Sequence, residues 1–506
     1  MKKRGLKLFC AFLALLMTLL ILPANATAFE DPAYYGKCGD NVTWELYMAS
    51  GRLVISGTGD MWDYTGYTDS MAPWRPNIYA AEIRSITISE GVTSIGNDAF
   101  STCFNLPEIT IPSTVTRIGN NAFNTWCQSL KKVTFAPNSQ LKTIGENAFM
   151  YCIALEEITI PSSVTTIGQS AFNSCEILTN VTFEEGSQLQ SVGNFAFVAT
   201  PLTSIAIPSS VTDIGSYAFG DCYHLEEVIL QEDSQLTNIG ERAFYGCSDL
   251  VSFTIPKSVT SIGKESFYGC EKLIELYNCS DLELTAGYSD KTWLAWYAKN
   301  VYTPTSGKSN LIYRDDGYVF YNDNGSYYLM GKTGTDTELV LPSDFNGNDY
   351  SVYPYAFYYH NELTKVTIPT AVTSLGSQAF GYCEYLENII YQGSQCGWNE
   401  ISQNYWWHLT GDATAKGTYT LECEIIVYGD ANADDKVDLD DAVLVKVYLA
   451  NMDYDTGVST TKVYTGADAN ADGKVDLNDA VLLALYLANY DYDTGTSSVI
   501  LGKQGA

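Results

Sequence analysis

Between about residues 82 and 277, apolar and polar positions recur in one short pattern. In the unit Leu155-Glu-Glu-Ile-Thr-Ile-Pro-Ser-Ser-Val-Thr-Thr-Ile-Gly-Gln-Ser-Ala-Phe-Asn-Ser-Cys175, Ile158-Thr159-Ile160 alternates as a strand does, and Pro161 ends it because proline cannot donate to a ladder. Val164, Ile167, Ala171, Phe172 and Leu178 follow as inward positions. Ile-Gly followed by Ala-Phe recurs at Ile95/Phe100, Ile118/Phe123, Ile144/Phe149, Ile167/Phe172, Val192/Phe197, Ile214/Phe219, Ile239/Phe244 and Ile262/Phe267 (Ser266 for Ala), then at Leu375/Phe380. Successive pairs from Ile95 to Ile262 lie 22 to 26 residues apart. That period predicts one coil of a solenoid, in which no coil folds alone and each stacks on its neighbours.

The Leu-x-x-Ile-x-Ile strand signature and the whole unit resemble the bacterial BspA-like (treponemal) leucine-rich repeat family, over about Glu82 to Tyr277 and again over about Leu339 to Tyr391. The resemblance implies a leucine-rich repeat solenoid of short strands with an irregular or helical convex side, and a role in adhesion or protein binding. The outward strand positions Thr110, Thr134, Thr159, Thr182, Ala206, Ile229, Thr254 and Thr367 form a mainly threonine ladder with no aromatic platform.

A different pattern appears near the C-terminus. Asp430-Ala-Asn-Ala-Asp-Asp-Lys-Val-Asp-Leu-Asp-Asp441 returns as Asp468-Ala-Asn-Ala-Asp-Gly-Lys-Val-Asp-Leu-Asn-Asp479. Oxygen side chains fall at loop positions 1, 3, 5, 9 and 12 and a backbone carbonyl at position 7, the set a hard cation needs. The predicted ligands are Asp430, Asn432, Asp434, Lys436 (carbonyl), Asp438 and Asp441, then Asp468, Asn470, Asp472, Lys474 (carbonyl), Asp476 and Asp479: two calcium ions, one per loop. Adjacent carboxylates such as Asp440 and Asp441 repel, so the metal should order the region. Each loop keeps only an exiting helix, has Asp at position 12, and in the first copy has Asp435 where a turn glycine is usual. The helices Asp441-Ala-Val-Leu-Val-Lys-Val-Tyr-Leu-Ala-Asn451 and Asp479-Ala-Val-Leu-Leu-Ala-Leu-Tyr-Leu-Ala-Asn489 carry almost no polar side. Two such helices leave an apolar patch at the surface, which usually marks a protein partner.

From about Gly429 to Gly495 the duplicated loop and helix resemble a type I dockerin. The resemblance implies a cohesin partner on a scaffold protein of a cellulosome-like complex. It places cohesin contacts at Leu439, Asp440, Lys446 and Asn451, and at Leu477, Asn478, Ala484 and Asn489. Leu-Asp and Leu-Asn replace the family's hydroxyl pair at the first two positions. The near identity of the halves implies docking in two orientations.

Other features bound the rest. Lys2, Lys3, Arg4 and Lys7 before the apolar run Leu8 to Leu22, with small residues to Ala28, predict a secretory signal. Nothing later is long and apolar enough to span a bilayer, so the expected protein is extracellular, has no direct membrane anchor, and reaches a cell surface through its scaffold. Net charge is -31, or -35 once those four signal-peptide cations are removed, which argues against nucleic-acid binding. Eight of the 13 cysteines, Cys103, Cys127, Cys152, Cys175, Cys222, Cys247, Cys270 and Cys383, occupy one repeat slot and read as a buried ladder. Cys38, Cys279, Cys396 and Cys423 are better candidates for disulfides.

The expected layout is a signal peptide (1–28), an N-terminal cap (29–81) with a hairpin over Asn41 to Gly59, a repeat array (82–277), a Tyr/Trp-rich insertion or cap (278–338), a second repeat block (339–392), a closing cap and linker (393–428) with Trp398, Trp406 and Trp407, and the dockerin (429–506). No catalytic constellation stands out. His224, His360 and His408 are scattered, with no partner set by spacing. Sugar contacts would have to come from Trp293, Trp296, Tyr318, Tyr321, Tyr327, Tyr328 or the cap tryptophans. The resulting expectation is a secreted, non-catalytic repeat protein that docks through calcium and cohesin and presents its solenoid to a protein or a plant cell-wall surface. The alternative is a polysaccharide-targeting or glycoside-hydrolysing subunit.

Overall fold

In a computed structural model the repeat alternation becomes strands. It describes residues 31–65, 71–75, 81–124, 127–231, 233–284, 298–304, 311–334, 336–401, 420–423, 430–432, 434, 436–453, 458–459, 463, 467–469, 471, 474–491, 496–497 and 501. The signal-like segment, Trp293, Trp296, Trp406, Trp407, His408, Asn470 and Asp472 lie outside these residues. The chain divides into two compact units, one of residues 1–221, 230–243 and 261–263, the other of 222–229, 244–260 and 264–506.

In the first unit, Tyr34–Lys37, Val42–Tyr47 and Arg52–Gly57 form an antiparallel meander, and Arg52–Gly57 pairs in parallel with Ser85–Ile88. The expected hairpin therefore occupies the open edge of the first coil. Glu108–Ile111, Lys132–Phe135, Glu157–Ile160 and Asn180–Phe183 make the next parallel sheet, with Thr110 opposite Thr134 and Thr159 opposite Thr182. The Thr159 and Thr182 hydroxyls lie 2.9 Å apart on the exposed face, as the threonine ladder requires. Val164, Ile167, Ala171, Phe172 and Leu178 are all fully buried. Phe100, Phe123, Phe149, Phe172, Phe197 and Phe219 stack in a file at 5.1 to 5.4 Å between ring centroids, and Trp74 starts the file against Phe100.

The Ile-Gly position carries more than the alternation foretells. Its isoleucines sit in two-residue strands, Arg117–Ile118, Thr143–Ile144, Thr166–Ile167 and their successors, which form a second, nine-stranded parallel sheet. A Cβ on Gly145 would lie 2.7 Å from the carbonyl carbon of Gly119, so the glycine lets successive coils approach. Beyond it the chain turns without a helix among the described coil residues. Asn121, Asn147 and Ser170 are left-handed, and their N–H groups donate to the next coil, as Asn121 does to Glu146 at 2.8 Å.

In the second unit, Ser252–Ile255, Glu275–Asn278 and Asn300–Tyr302 form one parallel sheet, and Glu338–Val340, Lys365–Ile368, Asn388–Tyr391 and Thr420–Cys423 form another. Tyr318–Asp323 and Ser326–Lys332 make the expected hairpin around left-handed Asn324 and Gly325, and Ser326–Lys332 continues in parallel pairing to Tyr350–Val352. Tyr318 and Tyr321 are buried in core packing, which removes them from the sugar-platform candidates. Helix α1 (Gln395–Ile401) buries Trp398. Helices α2 (Leu439–Ala450) and α3 (Leu477–Ala488) pack together through Ala442, Val445, Ala480 and Leu483.

The repeat-slot cysteines are free and buried. Each thiol from Cys127 to Cys175 donates to the carbonyl of the phenylalanine one coil back, as Cys127 does to Phe100 at 3.0 Å and Cys175 to Phe149 at 3.2 Å. Burial pushes Cys127 and Cys175 up to about 12. Cys38 and Cys279, expected as disulfide candidates, are also free thiols; the side chains of Cys396 and Cys423 lie outside the described residues.

Candidate functional site

The C-terminal loops are built by their own carboxylates. Asp438 is the N-cap of α2, and its side chain accepts from Asp440 N at 2.9 Å. Asp441, at loop position 12, returns the bond: its Oδ2 accepts from Asp438 N at 2.8 Å, completing a capping box with aspartate in the third helical position. Its Oδ1 accepts from Ala431 N at 2.8 Å and Asn432 N at 3.1 Å. One carboxylate thereby ties the start of the loop to the start of the helix. Asp430 Oδ1 and Asn432 Oδ1 both accept from Asp434 N, and Asp434 Oδ1 from Lys436 N, so the side chains at loop positions 1, 3 and 5 are each held by a backbone donor of the loop.

The second loop repeats the frame where it is described. Asp476 caps α3 through Asn478 N at 2.7 Å, and Asp479 Oδ2 accepts from Asp476 N at 2.7 Å. Asp441 and Asp479 are both 0 % exposed. Burial raises Asp441 above the usual carboxylate range, the backbone donors oppose this, and the neighbouring Asp430 adds to it. A buried carboxylate next to another, in an all-oxygen set, fits a hard divalent cation, whose charge would remove that penalty.

The opposite faces of the helices look outward. All eight sequence-predicted contact positions are exposed: Leu439, Asp440, Lys446 and Asn451, then Leu477, Asn478, Ala484 and Asn489. The sequence reading missed Val443 and Val447 on α2 and Val481 and Leu485 on α3, which continue Leu439 and Leu477 at steps of four into an exposed apolar stripe on each helix. The signal was present in that spacing. Leu439 is 68 % and Leu477 70 % exposed, unusual for leucines at helix starts. The structure also adds a short antiparallel pair after each helix, Met452–Asp453 with Val458–Ser459 and Tyr490–Asp491 with Thr496–Ser497.

One expectation changes. The histidines read as scattered are not all so: His224 and His360 lie edge to face at 5.0 Å, with Asp249 beside both.

Stacked coils with a phenylalanine file, followed by paired loop-helix modules, define a leucine-rich repeat solenoid protein with a docking module. The chain belongs to the BspA type leucine rich repeat region family, whose model matches in six copies at residues 78–189, 142–274 and 350–406, together half of the chain. A dockerin type I domain matches residues 428–488. Type I dockerins are calcium-binding modules with cohesin partners, and both families are typical of extracellular proteins. Neither the repeats nor the dockerin is a catalytic domain. No curated protein matches the chain. Among solved structures, it is similar to a leucine-rich repeat protein from Eubacterium ventriosum (22 % identity, 78 % of this chain and 96 % of that one, TM-score 0.34). It is also similar to a leucine rich cell surface protein from Faecalibacterium prausnitzii (23 %, 74 % and 98 %, TM-score 0.29) and to the T. pallidum leucine rich repeat protein (23 %, 47 % and 91 %, TM-score 0.29). No described helix is long and apolar enough to cross a membrane.

Proposed function

We propose that this is a secreted, non-catalytic repeat protein that docks through its dockerin onto cohesin domains of a cellulosome-like scaffold and presents its coils to a protein or plant cell-wall surface. The observation that carries the reading is the matched pair of exposed stripes, Leu439/Val443/Val447 and Leu477/Val481/Leu485, each on a helix whose first turn is tied to its loop by a buried aspartate. Calcium, one ion per loop, would be held by Asp430, Asn432, Asp434, Lys436 carbonyl, Asp438 and Asp441, and by Asp468, Asn470, Asp472, Lys474 carbonyl, Asp476 and Asp479. The ion supplies charge compensation that lets both loops close and holds the helices at a fixed angle for docking. Contacts extend from the stripes to Asp440, Lys446, Asn451, Asn478, Ala484 and Asn489.

The test is capture. The full chain is immobilised and exposed to the source organism's secreted and cell-wall proteins, with calcium and with chelator, and bound chains are identified by mass spectrometry. Calcium-dependent recovery of a multi-cohesin scaffold supports the reading. Recovery that ignores the chelator, or of no cohesin-bearing chain, contradicts it.

A further inference from the structure

In the second unit, a buried cluster of ionisable groups lies far in sequence from the dockerin loops. Asp249, Lys272 and His360 are buried, and His224 is nearly so. The slot two residues beyond the repeat cysteine holds Asn105, Ser129, Ala154 and Ile177 in earlier coils, where none is buried; in the coils of Cys222, Cys247, Cys270 and His360 it holds His224, Asp249, Lys272 and Glu362, and in the coil of Cys383 it holds exposed Tyr385. His360 replaces the cysteine itself.

The distances distinguish a ligand set from a hydrogen-bonded core. His224 Nδ1 and His360 Nε2 each lie 3.5 Å from the same oxygen, Asp249 Oδ2. That is too long for a good N–H···O bond, which falls at about 2.7–3.2 Å. It is close to the roughly 3.4 Å edge between two donors held about 2.1 Å from a tetrahedral ion. All three donor atoms lie within 4.8 Å of one another. His360 Nε2 is buried with no hydrogen-bond partner.

The surrounding groups are arranged for the same end. Glu362 Oε1 lies 3.2 Å from His360 Nδ1, facing the ring nitrogen that would carry the proton when Nε2 holds an ion. Lys272 Nζ lies 2.5 Å from Asp249 Oδ1 and donates to Ala356 O at 2.7 Å, holding the carboxylate by the oxygen the imidazoles do not face. Lys272 and Arg314 are the fixed cations here, and against burial, which lowers it, the Asp249 and Glu362 carboxylates raise His360 to about 9, so an ion would take the place of its proton. Asp249, Glu362 and Glu226 oppose the two fixed cations, with Arg314 paired to Glu226 at 3.3 Å.

We propose that His224, Asp249 and His360 form a site for a divalent transition metal of the zinc class, which cross-links the coil carrying His360 to the coils carrying His224 and Asp249. Two imidazoles and one carboxylate form a borderline donor set that suits zinc better than calcium. The site stands apart from the calcium loops and independently of docking.

The test uses the full chain, stripped of metal and returned to excess calcium so that the loops are occupied. Zinc is titrated by calorimetry, and cobalt(II) is added as a spectroscopic probe. The expected result is one zinc per chain, visible cobalt d–d bands without a thiolate charge-transfer band, and a higher melting temperature with zinc. His224→Gln, at the least buried ligand, should lower zinc affinity tenfold or more and remove the thermal shift, while its metal-free circular dichroism stays that of the wild type. His360→Gln should do the same. Absence of zinc binding by the wild type, a thiolate band, or wild-type affinity in His224→Gln overturns the proposal, and the first two readouts stand even where a variant fails to fold.

Discussion

The Asp441 carboxylate accepts the backbone N–H of Ala431 at 2.8 Å, so the last position of the first calcium loop is fastened to its second. The same carboxylate caps α2. Loop closure and helix initiation therefore share one side chain, which on the proposed reading also binds the ion. Asp441→Asn places an amide donor where three backbone N–H groups need acceptors. It should weaken calcium at the first loop at least tenfold, about 1.4 kcal/mol, and Asp479→Asn should do the same at the second. Calorimetric titration of each variant checks this, and losing both should remove calcium-induced ordering of the module.

Proton binding at Asp441 follows from its burial. Its folded carboxyl is raised above the unfolded value, so the stability it contributes without metal is full below the unfolded value and is lost as pH rises through the folded one. Calcium-free protein should thus show a dockerin that gains stability on mild acidification toward the carboxylate range. Calcium-loaded protein should show the reverse, since protons compete with the ion. Thermal melts of both forms across that range would show the crossing trends.

Docking should respond to the stripes unequally for single and paired changes. On the expectation that the near-identical halves dock in two equivalent orientations, Leu439→Asp should remove one of them and weaken cohesin binding only about twofold, a statistical loss. Leu439→Asp with Leu477→Asp should weaken it a hundredfold or more while calcium titrates normally. A single change as damaging as the pair would mean that one orientation carries the contact.

Phe172 lies between Phe149 and Phe197 at 5.3 and 5.2 Å and is fully buried. Phe172→Ala should cost about 3–5 kcal/mol in urea denaturation. Because each coil bears on its neighbours, the loss should appear as a separate early transition around that coil.

The thiol ladder gives an alkaline signature. Cys127, Cys175 and Cys383 are pushed up to about 12 from about 9, chiefly by burial, so their contribution to stability is full below pH 9 and is lost as pH rises toward 12. The ladder thiols should resist alkylation in the folded chain at pH 8, with reactivity appearing on denaturation, while partly exposed Cys279 is free to react. Rapid labelling of the ladder cysteines in the native protein, mapped by mass spectrometry, would contradict the ladder.

Much of this is legible in the sequence because it repeats. Eight Ala-Phe or Ser-Phe units at near-constant spacing, from Phe100 to Phe267, can have few arrangements other than stacked coils, and a twelve-residue oxygen pattern written twice suits few ions. What escaped was chemistry without a sequence signature. The left-handed turn position is filled by Asn121, Asn147, Ser170, Phe195 and Tyr217, residues with nothing in common, because the neighbouring coil's carbonyl sets that conformation. The His224, Asp249 and His360 cluster escaped because its members come from repeat blocks separated by the 278–338 segment, so no spacing links them. The exposed valines were visible as a step of four, but counting apolar residues hides which face they share.

The most direct test of the central claim is surface plasmon resonance of the full chain over immobilised type I cohesins, in calcium and in chelator, beside the Leu439→Asp/Leu477→Asp protein. The account predicts tight binding in calcium, loss in chelator with recovery when calcium returns, and loss in the double variant despite normal calcium uptake. Equal binding by the double variant, or binding that survives the chelator, would contradict it.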